Sequence, residues 1–250
     1  SACSAAQRGL PAAGPQTAAA LRQALRTPKT QTLQGQGRLE AYLGDERRSV
    51  TVLVLAKRPA SLQFQALAPT LDMLAVLSTD GQRFTSFERG GGECLVGQAC
   101  PANLARLLPI PMPAEKLVAT LLGDPPLDTP VTAPQRLTWD SDRSLYRLEL
   151  GPADGQQQHV YVQPRTLRLV GVVWLRGSQR LASVQYDGEV TPGGPPKWVR
   201  IQTIQPAADV TIELRDVQVD QPLDDAAFAL SCPSGMVVRE LPCSATAEAP

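Results

Sequence analysis

The sequence predicts a mainly β, α+β fold: a single curved antiparallel sheet of about eleven strands, a half-open β-barrel with helices over its mouth. Three observations predict it. Strand-like patterning runs from Leu33 to Phe87 and again from Leu137 to Val219. It alternates cleanly in segments such as Leu62–Ala66 and Val210–Leu214, with both faces fairly apolar over Val50–Leu55. Helical spacing is confined to the start and the middle, so helices do not alternate with strands as a parallel sheet requires. Turn signals such as Asp80-Gly81 and Gly193-Gly194-Pro195-Pro196 separate the strands at hairpin intervals. At 250 residues the chain can bury one full core.

Residues 4–15, small and rich in Gly and Pro, read as a linker able to reach roughly 40 Å. Gln16 to Arg26 reads as a short helix with Ala18, Leu21 and Leu25 on one face, stopped by Thr27-Pro28. The first strands run through Leu39–Leu43, Val50–Leu55, Leu62–Ala66, Leu74–Ser78 and Arg83–Phe87, with a turn at Gly44-Asp45. In the middle, Asn103–Leu108 reads as a helical turn. Pro109-Ile-Pro-Met-Pro113 can be neither regular helix nor inner strand. Ala114–Leu122 is a second helix, with Gly123 just past its end. Residues 124–135 form a loop. Seven strands follow: Leu137–Trp139, Leu145–Leu150, His159–Gln163, Leu167–Arg176, Arg180–Tyr186, Lys197–Ile204 and Val210–Val219. In the last, the apolar phase flips after Leu214, which predicts a bulge near Arg215-Asp216.

Composition excludes several function classes. Lys+Arg and Asp+Glu are 24 each, so nothing points to nucleic acid. Every apolar run is broken within about ten residues, so no segment spans a bilayer as a helix. The Gly90-Gly-Gly-Glu93 run lacks the Lys-Ser/Thr of a phosphate loop and reads as a flexible turn. Asp224-Asp225 reads as a turn or helix cap. A Ser–His–Asp triad would have to use His159, and no G-x-S-x-G elbow accompanies it. No enzyme, cofactor or metal is expected: the cysteine spacings C-x5-C and C-x10-C do not suit zinc.

Four of the five cysteines fall into two close pairs, Cys94 with Cys100 and Cys232 with Cys243. We expect two local disulfides, formed in an oxidising compartment and worth roughly 2–3 kcal/mol each. The odd cysteine, Cys3, follows Ser1-Ala2. Small residues before a cysteine resemble the end of a bacterial lipobox, so Cys3 is a candidate lipidation site; the alternative is a free thiol.

Three segments carry a family resemblance. Leu107-Leu-Pro-Ile-Pro-Met-Pro-Ala-Glu-Lys-Leu-Val-Ala-Thr-Leu-Leu-Gly123 resembles the proline-containing lid and helix of LolB. Ala56-Lys-Arg-Pro-Ala-Ser-Leu62 resembles the Arg-Pro turn of LolA, and Phe228-Ala-Leu-Ser-Cys-Pro-Ser-Gly-Met-Val237 its closing strand. Their order over residues 16–238 is similar to the LolA/LolB superfamily of lipoprotein carriers and receptors. The two cysteine pairs and the tail depart from it. The implied organisation is a lipidated N-terminus and tether at 1–15, a half-barrel domain at 16–238, and a disulfide-pinned tail at 239–250.

The resemblance implies an apolar cavity for the acyl chains of lipoproteins or other lipids, each buried methylene contributing about 0.8 kcal/mol. Candidate wall residues are Val52, Val54, Leu62, Phe64, Leu74, Val76, Trp139, Leu148, Val173 and Trp198. Lid candidates are Leu107, Leu108, Ile110, Met112, Leu117, Leu121 and Leu122. Ordinary core packing would use the same residue types, and sequence does not separate a filled barrel from a hollow one. Arg58 aligns with a lid latch, and a turn-capping surface arginine is the alternative. Leu71 and Met73 match a protruding, membrane-facing loop. With Cys3 lipidated, the resemblance implies a monomeric receptor on the periplasmic face of the outer membrane, with a periplasmic LolA-like carrier as partner. A structural or adaptor lipoprotein that binds a protein partner is the alternative.

Overall fold

The computed structural model describes residues 10–26, 30–43, 46–106, 108–128, 134–153 and 155–243. Cys3, Leu107, the turn at 44–45 and residues 244–250 lie outside them. Helix α1 (Ala18–Arg26) precedes a six-strand meander: β1 (Thr32–Leu43), β2 (Glu46–Lys57), β3 (Ser61–Leu67), β4 (Met73–Thr79), β5 (Arg83–Glu88) and β6 (Glu93–Gln98). Helices α2 (Pro101–Leu104) and α3 (Ala114–Leu121) follow. A second meander holds β7 (Gln135–Asp140), β8 (Leu145–Ala153), β9 (Gln156–Val162), β10 (Leu169–Arg176), β11 (Gln179–Asp187), β12 (Trp198–Ile204) and β13 (Ala207–Val219). A 3-10 turn (Asp225–Ala227) and β14 (Val237–Leu241) complete the chain.

All strands lie in one 14-stranded sheet, ordered β14-β6-β5-β4-β3-β2-β1-β13-β12-β11-β10-β9-β8-β7. The two meanders join where β1 pairs antiparallel with β13, from Leu33 opposite Val219 to Tyr42 opposite Asp209. The expected bulge is there: the register shifts between Gln34 and Gln36, and Asp216 takes a φ of 46°. At this point Val217 crosses so close to β1 that a Cβ on Gly35 would lie 2.9 Å from its Cα, a spacing only glycine permits.

One face is apolar along the whole sheet. Register places Val52, Val54 and Ala56 of β2 on the same side as Leu62 and Phe64 of β3, Leu77 of β4 and Leu33, Leu39 and Ala41 of β1. Val210, Ile212, Val199, Ile201, Val184, Trp174, Val160 and Leu148 continue it across the second meander. These residues and the helices form one buried cluster. The helix α1 starts where the Thr17 hydroxyl accepts the Ala20 amide (3.1 Å), and it buries Leu21 and Leu25 as the spacing predicts.

One strand, β6, escaped the sequence reading, and the closing strand expected over Phe228–Val237 lies instead at Val237–Leu241 as β14; together they correct the disulfides. After β13 the chain crosses the outer face of the first meander as a strap. Lys57 Nζ donates to Leu223 O (2.9 Å), Gln63 Nε2 to Ala227 O (2.5 Å), Ser78 Oγ to Phe228 O (3.0 Å) and Thr85 Oγ1 to Leu230 O (3.0 Å). It then turns and pairs parallel to β6, with Val238 opposite Cys94. Arg239–Leu241, expected in the tail, therefore belong to the sheet. The bonds are Cys94–Cys232 and Cys100–Cys243, with Cα separations of 5.8 and 6.1 Å, not the local pairs expected from spacing. The reason is the extended backbone of β6. Six residues of strand span about 20 Å, far beyond what a disulfide bridges.

The redrawn connectivity changes the energetics. Closing a loop of 138 residues restricts the unfolded chain by about 5 kcal/mol in the chain-entropy model. The second bond, closing the smaller ring that remains, adds about 3 kcal/mol. Peptide mapping without reductant should recover Cys94 joined to Cys232 and Cys100 joined to Cys243. Recovery of Cys94 joined to Cys100 would refute the fold at this edge. Replacing Cys94 and Cys232 together by serine should cost about 3–5 kcal/mol in chemical denaturation.

Candidate functional site: the covered concave face

The concave wall is roofed by short pieces of chain rather than by a second sheet. Leu108, Ile110 and Met112 sit at alternate positions of the proline-rich segment, and all three are buried. Proline at 109, 111 and 113 holds that segment extended, so alternate side chains point the same way. Helix α3 follows, burying Leu117, Val118 and Leu121, and packs on β2 and β3. Leu122 is buried beyond it, and Gly123 ends the helix with a φ of 85°. Helix α1 lies over β7 and β8.

Polar contacts fix this roof at two points. At one, Arg58, in the β2–β3 turn, donates through Nε to Thr30 O (2.8 Å) and forms an ion pair with Asp124, just past α3. Tyr186 donates its hydroxyl to Asp124 O (3.4 Å), and burial pushes its pKa up. At the other, Asp128 Oδ2 accepts from Trp174 Nε1 (2.6 Å) and Gln158 Nε2 (3.0 Å), while Lys116 of α3 pairs with Oδ1. The Asp128 amide donates to Gln158 Oε1 (2.9 Å). Burial pulls the Lys116 pKa down. Residues 124–128 are thus clasped to both meanders.

A cavity of ≈ 360 Å³ lies on the outer face, and one of ≈ 440 Å³ lies at the margin of the roof. The latter sits between the end of α1, the end of α3, the β9–β10 turn and the β11–β12 loop. Its apolar lining includes Leu25, Leu122, Leu167 and Leu169; its charged groups are Asp124, Arg168 and Glu189. Asp124 therefore belongs both to the clasp and to this opening.

Of the wall candidates, Val52, Val54, Leu62, Phe64 and Leu148 line the concave face and are 0–2% exposed. Trp139 stands at its edge, its ring centroid 5.7 Å from that of Tyr146 in an edge-on contact. Four candidates point outward. Leu77, opposite Phe64, fixes the phase of β4, which turns Leu74 and Val76 away. Leu74 is exposed; Val76 is buried, but outside the main cluster, on the face the strap crosses. Apolar residues at consecutive positions, as in Met73-Leu-Ala-Val-Leu77, hide the phase. Val173 faces out opposite His159, with Val172 and Trp174 inward. Trp198 lies opposite Asp187 and Glu213, outside. Lid candidates Leu108, Ile110, Met112, Leu117, Leu121 and Leu122 all sit under the roof.

Sequence reasoning missed Tyr146, Trp174, Tyr186, Gln158, Asp124 and Asp128. A glutamine in a concave-face position, Gln158 between inward-facing partners, was the available signal for a buried polar partner. Leu71 is 63% exposed at the tip of the β3–β4 turn with a φ of 65°, whereas Met73 is half-buried.

His159 lies on the outer face of β9, opposite Glu149 and Val173. Burial pulls its pKa below the ordinary 6.5, with Arg147 adding to the effect and Glu149 opposing it. A depressed folded value means the unfolded chain takes up the proton first. Stability is therefore full above pH 6.5 and falls as pH drops through the folded pKa. His159 is the sole histidine, so His159→Gln should flatten the stability profile between about pH 7 and 5. An unchanged slope in thermal melts over that range would refute it.

These elements define a class: an open antiparallel half-barrel whose apolar concave face is covered by short helices. Solved structures of that class match most of the chain. A LolA-superfamily protein from Nitrosomonas europaea aligns at TM-score 0.54 and 13% identity, over 85% of this chain and 97% of that one. A putative outer membrane lipoprotein-sorting protein domain from Vibrio parahaemolyticus aligns at 0.54 and 10%, over 84% and 94%. A DUF1329-family protein from Desulfovibrio piger aligns at 0.56 and 13%, over 84% and 93%. The chain shares the LolA fold with these structures. No family model and no curated protein matches its sequence.

The clasp gives a direct test. Both partners of the Arg58–Asp124 pair are about one-fifth exposed, so the pair is partly shielded from solvent. A double-mutant cycle with Arg58→Leu and Asp124→Asn should return a coupling of about 1–3 kcal/mol. Hydrogen exchange of the α3 amides should quicken in each variant; unchanged exchange would deny Arg58 a part in holding the roof.

Proposed function

We propose that this chain is a lipid-anchored receptor or carrier of the outer membrane that takes acyl chains of lipoproteins or other lipids against its concave face. The observation that carries the reading is the roof. An apolar wall spanning both meanders is covered by short helices and an extended proline-rich segment, clasped by a few polar contacts beside a cavity of ≈ 440 Å³. A second sheet in that place would have to move as one hydrogen-bonded body; this roof can lift as short pieces, giving up its clasp and the apolar contact that a cargo would replace. The lipoprotein-sorting and LolA-superfamily structures that share the fold support the same reading.

In this reading Cys3 carries the anchor and a periplasmic LolA-like carrier is the donor, with no nucleotide, metal or catalytic step. The chain works as a monomer. Exposed large apolar residues support a membrane-facing end. Tyr42, Leu71, Leu74, Ile204, Val237 and Val238 all lie at the same end of the sheet, at or next to hairpin turns and the start of β14. An adaptor that keeps the fold for a protein partner is favoured by one observation: Trp174, Tyr146 and Phe64 already fill the concave core.

A fluorescent fatty acid should bind the purified chain saturably, and Met112→Glu, which places a charge under the roof, should abolish that binding. Native mass spectrometry should find lipid on protein extracted from membranes. Failure of both measurements would leave the adaptor reading in place.

A further inference from the structure

We propose a second binding site, on the outer face of the sheet, for an extended, uncharged polypeptide segment. It stands apart from the concave-face reading. The site is a groove of ≈ 360 Å³ along β2, floored by Leu53 and Leu55 and walled by Gln34, Gln36, Gln65 and Gln218. The bulge makes it. Val217 turns inward across Gly35, while Asp216 and Gln218 turn outward, so the outer surface between β13 and β3 is hollowed where β13 leaves the regular ladder. Leu53 and Leu55 are half-buried in consequence, although they lie on the outer side.

The lining specifies the ligand. A glutamine amide both donates and accepts, and the lining holds no cation to receive an acidic ligand, so the match is to a ligand rich in both hydrogen-bonding functions. The one carboxylate, Asp216, serves as an acceptor for a backbone N–H. Glutamines at alternate positions of β1 and of β3 recur about every 6.7 Å, which is also the repeat of same-side peptide groups in an extended chain. Apolar side chains at that repeat would reach the leucine floor.

The molecule already uses this face in that way. On the adjoining strands the strap runs across the same surface, its carbonyls at Leu223, Ala227, Phe228 and Leu230 taking side-chain donors from Lys57, Gln63, Ser78 and Thr85. Gln63 is common to both: it lines the groove and holds the strap, and Gln65 Nε2 donates to its Oε1 (2.5 Å). The groove continues a surface that binds polypeptide backbone within the chain.

The test is an NMR titration of the full, disulfide-bonded chain with a blocked neutral pentapeptide alternating threonine and leucine. Saturable shifts of the Leu53 and Leu55 methyls and of the Gln36 and Gln218 side-chain amides are expected. Leu55→Glu should weaken binding at least about tenfold, and Gln36→Arg, an exposed-side change that leaves the floor intact, should weaken it as well. The proposal is overturned by an absence of saturable shifts, by equal binding in both variants, or by shifts produced by cellohexaose and not by the peptide.

Discussion

An apolar sheet face must be covered, and in this molecule everything else follows from how that is done. The concave wall extends through both meanders, yet α1 has nine residues and α3 eight, lengths that are marginal as isolated helices. Their stability comes from packing Leu21, Leu25, Leu117 and Leu121 on the sheet. The dependence is mutual, since without them the wall would be open to water. The clasp at Asp124 and Asp128 settles where the roof sits; the apolar contact settles that it sits at all. Directional charged contacts and non-directional burial divide the work.

The outer face is handled differently. An open sheet leaves two edges, each a row of unpaired backbone groups. At one edge, β14 extends the sheet beyond β6, and the disulfides hold it there at both ends of the pairing. Gly97 makes the close approach possible, since a Cβ there would lie 2.5 Å from Leu241 O. The strap leading to β14 lies over the first meander on its outer side, which is why Val76 and Phe228 are buried outside the main cluster. Near the other edge, α1 packs on β7 and β8. Where the strap crosses it, β4 is consequently covered on both faces, which explains its nearly continuous apolar run.

That run also marks the limit of what the sequence discloses. Where polar residues mark one face, alternation gave element and phase together: Leu39–Leu43, Leu62–Ala66 and Val210–Leu214 read correctly, and the flip after Leu214 located the bulge. Where both faces are covered, as at Leu74–Ser78, the element was legible but its phase was not. Val173 failed for a related reason, because Val172 and Trp174 on either side of it face inward, and Trp198 because an aromatic at the start of a strand sits on the outer face beside inward-facing Val199. The cysteines misled because spacing along the chain was taken for distance in space, and β6 was read as the end of a glycine turn. The clasp was legible only at Arg58. Asp124 and Asp128 sit in a Pro- and Asp-rich loop whose composition describes a surface connection, and their role depends on partners in the β2–β3 turn, β9 and β10.

The filled core and the proposed cargo are compatible on energetic grounds. An acyl chain placing ten methylenes against the wall gains about 8 kcal/mol. The roof side chains it displaces would lose a comparable amount if they went into water, leaving no net drive. If α3 and the proline-rich segment instead lift as a unit and rest on the cargo, the apolar area they cover is exchanged rather than lost. The remaining cost is the clasp, with charge-assisted bonds of about 1.5–3 kcal/mol each. A rigid bundle could not make that exchange. A roof of short helices bounded by Gly123 and the prolines 109–113, and tied by the Arg58–Asp124 and Lys116–Asp128 pairs, fits the proposed exchange of its apolar underside between wall and cargo.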